Sequence, residues 1–195
     1  MPTRRFTRAE LESFRDAVVP DLLPAGGSRV RLLFVGINPG LWTAATQTHF
    51  AHPGNRFYPA LLRAGIVEHA IDPAAGMTDE DRTHLLTRGV GITNLVPRAT
   101  ARADELSKEE LREGGERLRR TVHSVQPAVV AVAGITAYRS AFGVRTAAAG
   151  RQPEPFEEAV LWVVPNPSGL NAHETVDSLA VAYAEPAREA GVLAP

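Results

Sequence analysis

The sequence predicts an α/β protein in which a mainly parallel sheet carries helices on both faces. Three observations support this. Four short apolar runs read as strands: Val30 to Ile37, Val90 to Val96, Ala128 to Ala133 and Val160 to Val164. They are nearly continuous rather than alternating in hydrophobicity, as in strands buried on both faces. Segments of helical pattern separate them, and strands alternating with helices imply parallel pairing through crossovers. At 195 residues the chain can bury a substantial core. A single domain over 1–195 is expected, with a helical extension over 1–25 and a core over about 28–190.

The elements follow in order. Thr7 to about Leu23 reads as a helix, because Thr7 and Glu10 form a cap pair and Leu11, Phe14, Val18 and Leu22 recur at helical spacing. Pro24 to Ser28 then breaks the pattern. The first strand runs into Asn38-Pro39-Gly40, a turn fixed by proline on one side and permissive on the other. Leu41 to Phe57 is rich in Thr, Gly and Pro and reads as a long loop; such loops inside compact domains are usually functional. Asn55 to Gly65 reads as a short helix with Gly65 as its stop, and Thr78 to Arg88 as another with Thr78 and Asp81 as cap signals. Ser107 to Glu110 is a capping box opening a long helix to about Val125. Gly114-Gly115 weakens its middle by up to about 1 kcal/mol per glycine. A short helix runs from Gly134 to Ala141, and the last from about His173 to Ala190.

Composition narrows the function classes. An apolar fraction of 44% with 22% charged residues suits a soluble globular protein. Met1 to Phe6 is followed by polar sequence and does not read as a signal peptide. No apolar run approaches the about 18 residues of a membrane span. A cytoplasmic, monomeric protein without a membrane partner is expected. The absence of cysteine excludes disulfides, thiolate zinc sites and cysteine-ligated iron–sulfur clusters. His49 and His52 lack a neighbouring carboxylate to complete a metal site, so neither metal nor cofactor is expected. The net charge of -1 argues against strong nonspecific nucleic-acid binding, yet no Asp or Glu occurs from Leu22 to Val67 or from Arg82 to Ala103. The arginines there either form a basic face able to neutralise a few phosphates or are scattered without a shared role.

Two strands end in similar turns. Asn38-Pro39-Gly40 follows the first, and Asn166-Pro167-Ser168-Gly169-Leu170-Asn171 follows the fourth. In an open α/β sheet, ligands bind at the carboxyl ends of the strands. The Asn38 amide offers an acceptor and two donors but takes no proton near neutral pH. It can orient a water or a ligand amide, or merely close the turn, but it cannot act as a general base. Phe50, an aromatic between two histidines, is either a stacking surface for a planar ring or an anchor pinning its loop. Leu170 either wedges into a base stack or packs inward.

Four motifs together resemble the mismatch-specific uracil/thymine-DNA glycosylases, a branch of the uracil-DNA glycosylase superfamily. They are Gly36 to Leu41, Phe50 to Phe57, Gly91 to Val96 and Asn166 to Leu170. The similarity spans about Val30 to Tyr183, in order. It implies a three-layer α/β/α domain with a four-stranded parallel sheet, and double-stranded DNA lying across the strand ends. The target nucleotide would be flipped out of the duplex. By this resemblance Asn38 positions the water that attacks the deoxyribose, and Phe50 stacks on the base. Backbone N–H groups around Ile37 and Phe50 hold the base's carbonyl oxygens, while Thr43, Asn94 and Asn166 also line the base site. Ser168, Gly169 and Leu170 form a wedge, with Asn171 and His173 making strand contacts. Uracil in G·U-type mismatches is the expected substrate, with thymine or modified cytosine as further candidates.

The chain departs from the family pattern at three positions. Thr43 stands where bacterial mismatch enzymes usually carry Ser and vertebrate thymine enzymes Ala, Asn94 matches the thymine-type enzymes where the bacterial form has Lys, and Ala172 stands where the bacterial type has Arg. Lys108 is the only lysine. A bifunctional glycosylase normally needs an amine nucleophile, so a monofunctional enzyme is expected. A lesion-binding protein without turnover is the alternative. A phosphate-loop or serine-hydrolase protein is excluded, because neither G-x-x-x-x-G-K nor G-x-S-x-G occurs.

Overall fold

The computed structural model describes residues 6–25 and 29–194. Its centre is a sheet of four parallel strands: β1 (Leu32–Gly36), β2 (Val90–Asn94), β3 (Val129–Ala133) and β5 (Val160–Val164). β4 (Gly150–Arg151) adds a fifth, antiparallel to β5 at Trp162 and Val163. The sequence predicts four strands. The fifth has only two residues, too few to carry a periodic signal. The spatial order is β2-β1-β3-β5-β4. The chain leaves β1 toward one side for β2 and returns to its other side for β3. The switch in direction opens a crevice at the carboxyl ends of β1 and β3, the usual ligand position in such sheets.

Alternation along β1 divides the core. Leu32 and Phe34 face one layer with Phe57, Tyr58, Leu61, Leu179 and Tyr183. Leu33 and Val35 face the other with Leu118, Val122, Tyr138 and Phe156. The first layer is built by α3 (Phe57–Arg63), α4 (Asp79–Thr87) and α7 (Val176–Glu189), the second by α5 (Lys108–Val125) and α6 (Ile135–Phe142). The molecule is thus the three-layer α/β/α arrangement expected. The predicted capping boxes form at Thr78 with Asp81 and at Ser107 with Glu110. Gly114 and Gly115 are buried where α5 crosses the sheet and α6. A Cβ on Gly114 would lie 2.7 Å from Leu95 O, and one on Gly115 3.0 Å from the Phe142 ring. The helix-weakening glycines therefore exist for close packing.

Two sequence expectations fail. The N-terminal helix stops early: α1 covers only Arg8–Glu12, capped by Thr7 and Glu10. Asp16 turns the backbone with φ 63 and donates its N–H to Ala99 O at 2.9 Å. The chain then runs extended, bridging Val18 to Arg98 and Leu22 to Ile92. This segment blunts the open edge of β2, a tertiary gain that outweighs local helical spacing. Part of the predicted break, residues 26–28, lies outside the described residues. Second, the expected loop from Leu41 to Phe57 begins with a helix, α2 (Leu41–Thr46). Leu41 and Ala44, three residues apart on one face, bury against Val19 and Ala99.

Candidate active site

A cavity of about 480 Å³ opens at the switch point, lined by both Asn-Pro turns, the Phe50 loop and the Thr100–Ala103 segment. Of the residues singled out in the sequence, Ile37, Asn38, Thr43, Phe50, Asn94, Asn166, Ser168, Gly169 and Leu170 all line it. Asn171 and His173 do not line it.

Asn38 is held by one end of its amide. Nδ2 donates to Thr100 Oγ1 at 2.7 Å, Arg98 O at 3.1 Å and Pro39 O at 3.2 Å. Carbonyl oxygens only accept, so the NH₂ must point at them. Oδ1 is then left over, and among the described residues nothing donates to it. Arg117 Nε is the single buried, unpartnered side-chain atom among those residues, so Oδ1 is open to the cavity. Thr100 completes the clamp: its hydroxyl donates to Arg102 O at 2.7 Å, which turns a lone pair toward Asn38.

The segment carrying Thr100 is pinned from two sides. Arg98 pairs with Glu110 of α5 at 2.6 Å and with Asp16 at 2.8 Å. That Arg98 pairing, with help from the Ser107 cap, holds the Glu110 carboxyl down at about 2. Arg15 pairs with Glu105 in the turn that follows. No sequence pattern announces this clamp. Thr100 lies 62 positions from Asn38, and the parallel bridge Gly40 to Thr100 brings them together.

Phe50 anchors its loop and also presents its ring to the cavity. One face stacks on Phe57, ring centroids 4.1 Å apart and 27° from parallel, and Phe57 is wholly buried among Phe34, Tyr58 and Tyr183. The ring also lines the cavity. Its backbone has φ 56, a left-handed conformation that costs an aromatic residue about 1–3 kcal/mol and that clusters at functional sites. Thr43 is 4% exposed and accepts from the Ala51 N–H at 3.3 Å, anchoring the loop just past Phe50. The backbone N–H groups of Ile37 and Phe50 donate to no acceptor among the described residues.

The second turn meets the Phe50 loop backbone to backbone. A Cβ on Gly169 would lie 2.5 Å from Gly54 O, so the second turn can sit against the Phe50 loop only with glycine there. Arg56 ties the loops together, donating to Ser168 O at 3.3 Å and Asn171 O at 3.1 Å, while its N–H reaches Pro167 O at 3.0 Å. Asn166 Oδ1 accepts from the Ser168 N–H at 3.0 Å, and Asn171 Nδ2 donates to Asn166 O at 3.1 Å. At the tip of this hydrogen-bonded turn Leu170 is 90% exposed; it does not pack inward.

Several arginines of the acid-poor stretches contact the protein itself. Arg31 holds Gly191 O and Arg88 O, Arg88 holds Ile66 O and Gly65 O, and Arg63 pairs with Asp177. No group of three or more metal-ligating side chains is found among the described residues. No helix there is long and apolar enough to cross a membrane.

Fold and site together define a three-layer α/β/α protein with a cavity at the topological switch point that carries asparagine side chains and an aromatic wall. The sequence profile of the Uracil DNA glycosylase superfamily matches residues 23–185. The chain belongs to that superfamily, and membership supports a DNA glycosylase, a hydrolase acting on DNA.

Proposed function

We propose that this protein is a monofunctional glycosylase that flips uracil out of G·U-type mismatches in double-stranded DNA and hydrolyses its glycosidic bond. One observation supports the reading above all: the open Asn38 Oδ1 and the Phe50 ring share one cavity, and neither belongs to a titratable side chain. That suits a reaction in which the base departs first and water is aimed rather than deprotonated. As the C1′–N1 bond breaks, the sugar becomes oxocarbenium-like and the base anionic. The unpaired N–H groups of Ile37 and Phe50 are available to the developing charge, and one such donor is worth about 3 kcal/mol. A water donating to Asn38 Oδ1 adds to C1′ and gives its proton to solvent, and the base anion takes one from solvent.

Flipping requires a few kcal/mol, less at a mismatch, and the exposed Leu170 is suited to fill the vacated stack. Lys108, the only lysine, begins α5 and does not line the cavity, which favours an intact abasic product over a Schiff-base route. The test is a purified-protein assay on duplexes carrying G·U, G·T, A·U and G·C, with single-stranded uracil alongside. Free uracil from G·U, with strand cleavage only after alkali, is expected. Tight duplex binding without base release would point to a lesion-binding protein instead.

A further inference from the structure

His49 is a histidine that the proposed reaction leaves without a role, although it is 5% exposed and lines the cavity. Its Nε2 lies 2.9 Å from Pro20 O. A carbonyl can only accept, so Nε2 carries the proton. Nδ1 is then a lone pair, and Asn94 Nδ2 donates to it at 3.0 Å. Burial lowers the His49 pKa below its ordinary value, in keeping with a neutral ring. Tyr58 Oη donates to His49 O at 3.0 Å and fixes the backbone beneath the ring.

The consequence falls on Asn94. With its NH₂ turned to His49, its Oδ1 points the other way, over Gly36, where a Cβ would collide with it and would lie 3.2 Å from Phe50 Cζ. Nothing among the described residues donates to Oδ1, and it is not a buried orphan, so it faces the cavity beside the Phe50 ring.

We infer that His49 is a positioning residue for specificity: by accepting from Asn94 it commits the Asn94 carbonyl oxygen, and not the NH₂, to the edge of the bound base. This rests on the glycosylase reading above. An acceptor at that point pairs with the N3–H of a 4-oxo pyrimidine and repels the N3 lone pair of cytosine. The relay begins at Pro20, held between the Val18 and Leu22 bridges and outside the family match over 23–185. An N-terminal segment of this chain thereby reaches the base through two side chains.

Single-turnover uracil excision from a G·U duplex tests it with His49→Leu, Asn94→Leu, their double variant and His49→Gln. Each single replacement by Leu is expected to slow excision tenfold or more. The double variant should match Asn94→Leu within twofold, because both remove one interaction. His49→Gln can donate to Pro20 O and accept from Asn94, and should return to within threefold of wild type. Losses that multiply in the double variant, or unchanged excision by His49→Leu, overturn the assignment. Should His49→Leu fail to fold, imidazole ¹⁵N shifts of the wild-type protein decide. The neutral Nε2–H form is expected, and an Nδ1–H form or an imidazolium at neutral pH overturns it. A wild type that releases no base from any duplex refutes the glycosylase reading instead, and the ¹⁵N shifts then still decide the Asn94 orientation.

Discussion

Thr100→Val isolates the orientation of Asn38 from its chemistry. Valine keeps the shape of a side chain that is 1% exposed and removes the 2.7 Å bonds from Asn38 Nδ2 and to Arg102 O. Two carbonyl acceptors remain for Asn38, at 3.1 and 3.2 Å, so its amide is loosened rather than freed. A net hydrogen bond is worth about 0.5–1.5 kcal/mol, and about 1.4 kcal/mol is tenfold in rate. Single-turnover excision should therefore fall about 3- to 10-fold, with duplex affinity unchanged because no DNA contact is removed. Unfolding stability should fall by about 1–3 kcal/mol, the penalty of stranded polar groups. Thr100→Ser retains the hydroxyl and should restore the rate. A Thr100→Val enzyme at wild-type rate, or a Thr100→Ser enzyme equally slow, refutes the clamp.

Three further outcomes are expected. Phe50→Ala should cut excision by the about 1–3 kcal/mol typical of base stacking on an aromatic ring, and a change under twofold in single-turnover rate contradicts a stacking wall. Leu170→Ala should weaken excision from duplexes at least fivefold more than from single strands, since only a duplex leaves a gap to fill; equal losses contradict a wedge. The third concerns pH. His49 has a folded pKa below its ordinary value near 6.5, chiefly through burial, with Arg82 and Arg117 acting in the same direction and Asp21 and the Pro20 carbonyl against. Above that ordinary value the ring is neutral folded and unfolded. As pH falls through it the unfolded chain alone gains a proton, so stability is lost. The melting temperature should drop from about pH 7.5 to 5.5, and His49→Gln should remove much of that drop. The depressed carboxylates Asp81, Glu105 and Glu110 lose their contribution only at lower pH, outside this window.

Strands and caps were legible in the sequence because their signals are local: continuous apolar runs, cap pairs three residues apart, glycine stops. Asn38, Asn166, Ser168, Gly169 and Leu170 were legible because both Asn-Pro turns directly follow strands, and strand ends in a parallel sheet share one side. Phe50 stood out as an aromatic on a long loop, and Ile37, Thr43 and Asn94 only through the resemblance to known glycosylases. What escaped depends on long-range closure. Thr100, Arg98 and Pro20 look ordinary in sequence and act only through bridges to distant segments. The N-terminal helix is shorter than its periodicity predicts for the same reason, since edge pairing with β2 is invisible to helical periodicity. The arginine-rich, acid-poor stretches read either as a phosphate-binding face or as arginines without a shared role. Many of these arginines satisfy the protein's own carbonyls, a use that composition does not reveal.

The most direct test of the account is the single-turnover rate of Asn38→Ala on a G·U duplex, with duplex affinity measured in parallel. Loss of an aimed water predicts a fall of about 10²-fold or more, with affinity held within about threefold because Asn38 points at the cavity rather than at the DNA backbone. Wild-type excision by Asn38→Ala, or a loss that disappears at saturating protein, would contradict it.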